Sequence, residues 1–356
     1  DSTNPINPIN SMNRSTATRQ YRKHVIFVLI FGLIVFMAKA YYDTNTVQIK
    51  HYQIKNSPVG EVLPGLKIAH LSDLHVRHYG PREKKILKIL EEENPDLILL
   101  TGDYIHFEGP YAPVMYFFSQ LKASFGVYAV LGNAEYSNEN GSCILCHEER
   151  SKSLKEGSNL KFLRNSSVHL KINGKALNII GLDDPVNKKS ELMTALKGLE
   201  IKGSPSILLA HSPEIFEEAS TYGFDLFLCG HTHAGQIFIP KYLRNIFLLD
   251  PVLEFLEGFF HEGKTLMYVS RGVSTSVLPF RLGVKPEITF FSFSNSTNNE
   301  KIRIGRMYQT NPTSPINSIN PSNLSREMRP APRSVRTTPS GSLFHWDPIN
   351  SITAAL

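Results

Sequence analysis

The segment LKIAHLSDLH, residues 66–75, is a short apolar run that ends in a carboxylate and an imidazole two residues apart. A run of this length between turn-forming residues reads as a strand buried on both faces. The form recurs down the chain. DLILLTGD at 96–103 ends in Gly102-Asp103, and GVYAVLGNAE at 126–135 ends in Gly132-Asn133-Ala134-Glu135. SILLAH at 206–211 ends in His211, and FDLFLCGHTH at 224–233 ends in Gly230-His231-Thr232-His233. A sixth, TLMYVSRG at 265–272, ends around Arg271, a cation where the others carry ligands. Polar residues at the C-terminal ends of neighbouring strands meet in one crevice. Asp73 and His75 are two apart in extended chain and project to one side. Gly102 lets the backbone approach closely beside Asp103, and Ser212-Pro213 stops the strand at His211.

Helical patterns lie between these strands. PREKKILKILEEEN at 81–94 places Ile86, Ile89, Leu90 and Glu93 on successive turns, with Pro81 to open it and Asn94-Pro95 to stop it. YAPVMYFFSQLKAS at 111–124 reads as a second helix. Leu97–Leu100, Phe125–Leu131, Leu177–Leu182, Ile207–Ala210, Phe224–Cys229, Leu266–Val269 and Glu287–Phe293 read as strands. The fold class is α/β, a layered domain over residues 47–294 with helices flanking mixed β-sheets.

Asp, Asn and His side chains suit Mn, Fe or Zn better than a thiolate site would. Two ions about 3.5–4 Å apart neutralise a phosphate, generate a nucleophile at neutral pH and hold it for in-line attack. Each residue alone is weak evidence: a buried His is commonly structural, and an Asp after a strand is commonly a helix cap. Five matched segments in order make coincidence a poor explanation.

The ends of the chain differ in kind. Residues 25–37, VIFVLIFGLIVFM, are continuously apolar, and 25–42 read as a membrane anchor with Tyr41 and Tyr42 at the interface. The alternative is a signal segment that starts at Met12 and is cut after Ala40. Residues 1–24 and 295–356 are rich in Asn, Pro, Ser or Arg without hydrophobic period and read as disordered. The net charge of +6 lies largely in those tails, which read as solvated and imply no nucleic-acid partner. Cys143-Ile-Leu-Cys146-His147 matches a haem attachment motif and half a zinc site, and also reads as a disulfide pair or a plain loop. Residues 237–264 are rich in Phe, Leu and Ile. They read either as a packed domain edge or as an apolar rim for acyl chains, with Phe259 and Phe260 on the rim and Lys241 and Arg244 facing phosphate.

The motifs D-x-H, G-D, G-N-x-E, H and G-H-x-H, as they stand at Asp73 to His233, resemble those of the calcineurin-like metallophosphoesterases over roughly residues 50–294. The resemblance implies a metallophosphoesterase sandwich and two divalent ions, Mn first and Fe or Zn otherwise. It implies that Asp73, His75 and His233 hold one ion, that Asn133, His211 and His231 hold the other, and that Asp103 bridges. GHTHAGQIFIP and YVSRGVSTSVLPFRLGVKPEIT resemble the membrane-associated branch, which includes UDP-2,3-diacylglucosamine pyrophosphatases of lipid A synthesis. That branch implies a nucleotide-linked glycolipid as substrate, UMP and a lipid monophosphate as products, a membrane surface as partner and the bacterial inner membrane as location. Arg271 would then hold the second phosphate.

Ala134 departs from the pattern. The family has His there, in a role that resembles a general acid, and alanine donates no side-chain proton. The neighbours Gly132, Asn133 and Glu135 are kept. The position therefore reads as a His-to-Ala change that slows turnover, with a natural metal-binding pseudoenzyme as the alternative. A general phosphodiesterase of the cell envelope is the other competing function. The basic residues before the apolar run place the following domain outside the membrane, whereas a nucleotide sugar lies inside. A segment lying in the interface would remove that conflict.

Overall fold

The computed structural model describes residues 9–294, except 56, 63, 107–108, 137–142, 144–159, 173, 200–203, 241–254 and 277, together with 317–319. Two sheets form its centre. The first has seven strands in the order β13-β1-β12-β2-β3-β4-β5 and the second six in the order β10-β11-β9-β8-β7-β6. In the first sheet β2 (Lys67–Leu71), β3 (Leu97–Thr101), β4 (Val127–Val130) and β5 (Leu160–Phe162) run parallel, and β12 (Glu287–Ser294) is antiparallel to β2. Beyond it lie β1 (Gln48–Lys55) and β13 (Asn317–Ile319). In the second sheet β7 (Lys175–Gly181), β8 (Ser206–Leu209), β9 (Leu226–Cys229) and β11 (Thr265–Val269) are parallel. The edge strands β6 (Ser166–Ile172) and β10 (Gly258–Glu262) are antiparallel.

The central strands β3, β4, β8, β9 and β11 are apolar and buried because both of their faces are covered. Ile68, Leu97, Leu99 and Val130 of the first sheet pack against Leu177, Ile179, Ile207, Leu209 and Leu228 of the second. Their alternate neighbours Ala69, Leu71, Ile98 and Leu100 turn outward onto Ile86, Ile89, Val114 and Phe118, carried by α3 (Pro81–Glu93) and α4 (Ala112–Ser119). On the far side Ile180, Leu208, Phe227 and Met267 meet Leu192 and Phe216 of α5 (Leu192–Ala195) and α6 (Phe216–Ser220). The result is a helix–sheet–sheet–helix sandwich, in agreement with the reading from sequence. α3 starts at Pro81, where the Glu83 carboxylate accepts from Gly80 N at 2.9 Å, and stops at Asn94 in left-handed backbone.

Two expectations are corrected. The apolar segment belongs to one helix, α1 (Ile9–Asn45), so part of the N-terminal stretch read as disordered is helical. The tail read as disordered supplies β13, which pairs parallel with β1. The short strands β5, β6 and β10 were not legible as strands. Thr18–Asn45 of α1 is long and apolar enough to cross a membrane, and the side chains from Val25 to Met37 are largely exposed. Between α1 and β2, the short α2 (Pro58–Val62) seals the inter-sheet core with Val59 and Val62.

Candidate metal centre

Each ligand candidate follows a parallel strand. Asp73 and His75 come after β2, Asp103 after β3, Asn133 after β4, His211 after β8, and His231 and His233 after β9. The strand ends of both sheets open to one side, and the side chains converge there. Asp73, His75, Asp103, His231 and His233 all have positive φ, between 38° and 72°. For non-glycine residues this is uncommon backbone that costs about 1–3 kcal/mol each and gathers at functional sites. It bends the chain back after each strand so that the next side chain points inward. The approach of the loops is close: a Cβ on Gly102 would lie 2.7 Å from both Gly132 N and His211 Nδ1.

The ligand atoms form two groups that share one residue, Asp73, His75, Asp103 and His233 on one side and Asp103, His211 and His231 on the other. Asp103 divides its oxygens between them. Its Oδ2 lies 3.4 Å from His75 Nε2, and its Oδ1 lies 3.3 Å from His211 Nε2. His233 Nε2 is 3.3 Å from Asp73 Oδ1 and 3.2 Å from His75 Nε2. On the second side His211 Nε2 is 3.1 Å from Asn133 Oδ1 and 3.1 Å from His231 Nδ1.

The far nitrogens of three rings meet backbone carbonyls. His75 Nδ1 lies 3.3 Å from Ile105 O, His211 Nδ1 2.7 Å from Thr101 O, and His233 Nδ1 3.2 Å from Ser274 O. A carbonyl only accepts, so each Nδ1 carries a proton, and in neutral His75 and His233 the Nε2 turns a lone pair inward. Two facing lone pairs at 3.2 Å, between His75 and His233, repel unless a cation lies between them. The donor set therefore fits two divalent ions. The electrostatics agree. Burial pulls His75 down to about 4 and His231 to about 3, and together with His75 and Arg281 it holds His233 well below its usual value, so all three are neutral near pH 7. His211 differs. Burial lowers it, but the charge and hydrogen bond of Asp103, with Asp73 and Asp184, outweigh that and lift it to about 10. Burial likewise pushes Asp103 up, and His211 chiefly reverses this, holding Asp103 far below the usual carboxylate range. Burial and Asp103 raise Asp73 to about 6, against His211.

Two residues to which the sequence assigns no role support the site. Glu135 is fully buried and accepts four backbone N–H bonds: Oε1 from Tyr104 at 2.7 Å and Ile105 at 3.2 Å, Oε2 from Gly132 at 2.7 Å and Asp103 at 3.0 Å. It ties the loop after β3 to the loop after β4. Burial and the charge of Asp103 push its carboxyl up to about 8, while the N–H donors favour the anion. Arg281 is the other, a fully buried guanidinium behind His233.

Ala134 is fully buried, and its N–H donates to Asp103 Oδ1 at 2.8 Å. The expectations about substrate contacts change. The Arg271 guanidinium is paired with Glu257 and Glu287 and donates to Gln48 Oε1 at 3.2 Å, so its charge is already engaged. Phe259 is a core ring 4.9 Å from Tyr52 and 4.7 Å from Tyr268, which leaves it no face for an acyl chain. Phe260 points to the opposite face of β10 and packs on Phe255 at 4.9 Å. Lys241 and Arg244 lie outside the described residues, as do Cys146 and His147. Cys143 is buried and disulfide-bonded, which excludes a thioether to haem.

This sandwich, with its paired His/Asp groups at the strand ends, defines a metallophosphoesterase, and residues 66–235 match the model of the calcineurin-like phosphoesterases. The chain belongs to that family and is a metal-dependent phosphoester hydrolase. It is 30% identical to the uncharacterised metallophosphoesterase YkuE of Bacillus subtilis, over 80% of this chain and 99% of that one. It is 27% identical to a zebrafish (Danio rerio) transmembrane protein with a metallophosphoesterase domain, covering 78% of this chain and 64% of that protein. The UDP-2,3-diacylglucosamine pyrophosphatase LpxG of Chlamydia trachomatis is 27% identical over 59% of this chain and 78% of its own.

Proposed function

We propose that this chain is a membrane-anchored hydrolase of an amphiphilic phosphoanhydride, with UDP-2,3-diacylglucosamine as substrate and UMP and a lipid monophosphate as products. In this reading Asp73, His75 and His233 hold one ion, Asn133, His211 and His231 hold the other, and Asp103 bridges. Two bound divalent ions would neutralise the attacked phosphate and activate water. The chain's own part is to fix the imidazole tautomers through Ile105, Thr101 and Ser274 carbonyls, and to keep the bridge oriented through Ala134 N–H and Glu135.

The observation that carries the reading is the distance from the membrane helix to the site. Phe36 of α1 stacks edge-on against Phe280 at 5.8 Å, and Arg281, the next residue, bonds His233. Exposed Phe238 lies five residues past His233, in the same loop region. The foot of an apolar helix thus packs against the loop next to a candidate ligand, which supports a lipid-linked phosphate as the substrate. The relative from Chlamydia trachomatis acts on such a compound by its name. Ala134 fits the same choice. A phosphate leaving group has a second pKa of about 6 and departs without a proton donor, whereas an alkoxide needs one. In this reading the helix over Thr18–Asn45 is the anchor, 47–294 the catalytic domain, and the bacterial inner membrane the location.

The test is a Mn-supplemented assay of the full chain in detergent on UDP-2,3-diacylglucosamine beside an aryl phosphodiester. UMP release at a higher kcat/KM than diester cleavage supports the proposal. Brisk diester cleavage without UMP moves the function to a general envelope phosphodiesterase. One observation favours that second reading: the disulfide at Cys143 belongs to an oxidising compartment, outside the cytoplasm where nucleotide sugars are held.

A further inference from the structure

The last turn of α1 is sewn into the loop that backs the first metal group. Asp43 and the Arg281 side chain are both fully buried. Asp43 Oδ2 accepts from Gly283 N at 2.7 Å, and Thr44 Oγ1 accepts from Arg281 N at 2.8 Å. Lys39 pairs with the same Asp43 carboxylate, and Lys285 lies 4.5 Å over the Tyr42 ring. Between these contacts the Arg281 guanidinium turns inward. Nη1 donates to His233 O at 3.2 Å, Nε donates to Ser274 O at 3.0 Å, and Nη2 donates to Arg271 O at 2.7 Å while lying 3.2 Å from His233 Nδ1. Ser274 O is also the carbonyl that faces His233 Nδ1. One planar fork therefore sets both the backbone of His233 and the carbonyl that orients its ring. The same loop is fixed a second time by Gln236, whose Nε2 donates to Leu278 O at 2.8 Å and Phe280 O at 3.1 Å.

We infer that Arg281 is a positioning residue for the His233 metal site, and that the foot of the membrane helix, through Asp43 and Thr44, holds Arg281 in place. The anchor is then part of the metal centre's scaffold as well as a tether. The second group is held by other means: His211 by Thr101 O, and Asp103 by Ala134 N. Disturbing the foot of α1 should therefore weaken one ion and spare the other. The inference rests on the proposed two-ion reading of the site.

The experiment uses the full chain in nanodiscs, with Mn titrated and followed by electron paramagnetic resonance. A filled pair gives an exchange-coupled signal, and a single ion gives a mononuclear one. The unmodified chain is expected to bind two Mn and show the coupled signal; absence of that signal removes the two-ion reading itself. With the pair established, Thr44→Val, Asp43→Ala and Arg281→Met are each expected to weaken one Mn by about 10-fold or more, the usual size for groups that orient a ligand. A mononuclear signal should then appear at Mn concentrations that fill both sites in the unmodified chain. Arg281→Lys, which keeps the charge and loses the fork, should remain weakened. Two ions bound with unmodified affinity in these variants, or an equal weakening of both, overturns the inference. Circular dichroism reports the fold. Should Asp43→Ala or Arg281→Met fail to fold, Thr44→Val, which removes one hydroxyl, decides the matter alone.

Discussion

Replacing Glu135 with Gln changes one atom of a side chain that holds two loops together. Each carboxylate oxygen accepts two backbone N–H groups, from Tyr104 and Ile105 on one side and Gly132 and Asp103 on the other. A Gln amide has one oxygen. Whichever way it turns, its NH2 faces two N–H donors and two bonds are lost in a fully buried place. Hydrogen bonds to a charged acceptor contribute about 1.5–3 kcal/mol each, so at pH 9, above the Glu135 value of about 8, the loss is about 3–6 kcal/mol. That is a large part of a domain stability of about 5–15 kcal/mol. The assay is urea unfolding of the metal-free protein in detergent, with Glu93→Gln as comparison. Glu93 pairs with Lys67 and His51 at the surface and its loss should cost under about 1 kcal/mol. Mn affinity should fall about 10–100-fold in Glu135→Gln, because the bridge loses its support. A Glu135→Gln protein within about 1 kcal/mol of the unmodified chain, with unchanged Mn affinity, would refute the reasoning.

Ala134→His is expected to raise turnover by about 10²-fold without changing metal content, since a proton donor is added and no ligand is touched. The gain should be larger for alkyl esters than for anhydrides, and the fully buried position should lower stability by about 1–3 kcal/mol; equal gains on both substrates would remove the acid role. Mn binding should release a proton from His211, so affinity rises about tenfold per pH unit below the folded value of about 10. The metal-free protein shows the opposite trend, because stability from a raised histidine is fully present below 6.5 and is lost as pH climbs toward about 10. Titrations at pH 6 to 9 check both slopes, and pH-independent Mn affinity would contradict them.

Much of this site was legible in the chain because each candidate ligand closely follows a strand buried on both faces. The run from Leu66 to Leu71 announces the strand, and Asp73 and His75 fall where it must turn. What was not legible depends on tertiary packing. The aromatic run at Phe259 and Phe260 has the composition of an apolar rim, yet strand alternation puts Phe259 into the inter-sheet core with Tyr52 and Tyr268. Arg271 follows a strand like the ligands, and only the fold reveals Glu257 and Glu287 beside it. Arg281 lies in an irregular stretch with no periodicity, and its burial against His233 is decided by α1, more than two hundred residues earlier. Glu135 was visible as part of a motif, but its four N–H donors come from loops that only the sheet order brings together. Strands β5 and β6 carry Lys, Ser and His at partly or fully exposed positions near the sheet edges, which blurs the pattern that made β2 to β4 plain.

Metal content per chain, compared between the unmodified protein and Asp103→Ala after Mn supplementation and desalting, tests the bridged centre most directly. Asp103 is the one residue common to both ligand groups. The account predicts two Mn per unmodified chain and loss of both in Asp103→Ala. Full metal retention in Asp103→Ala, or an unmodified chain that binds no Mn, would contradict it.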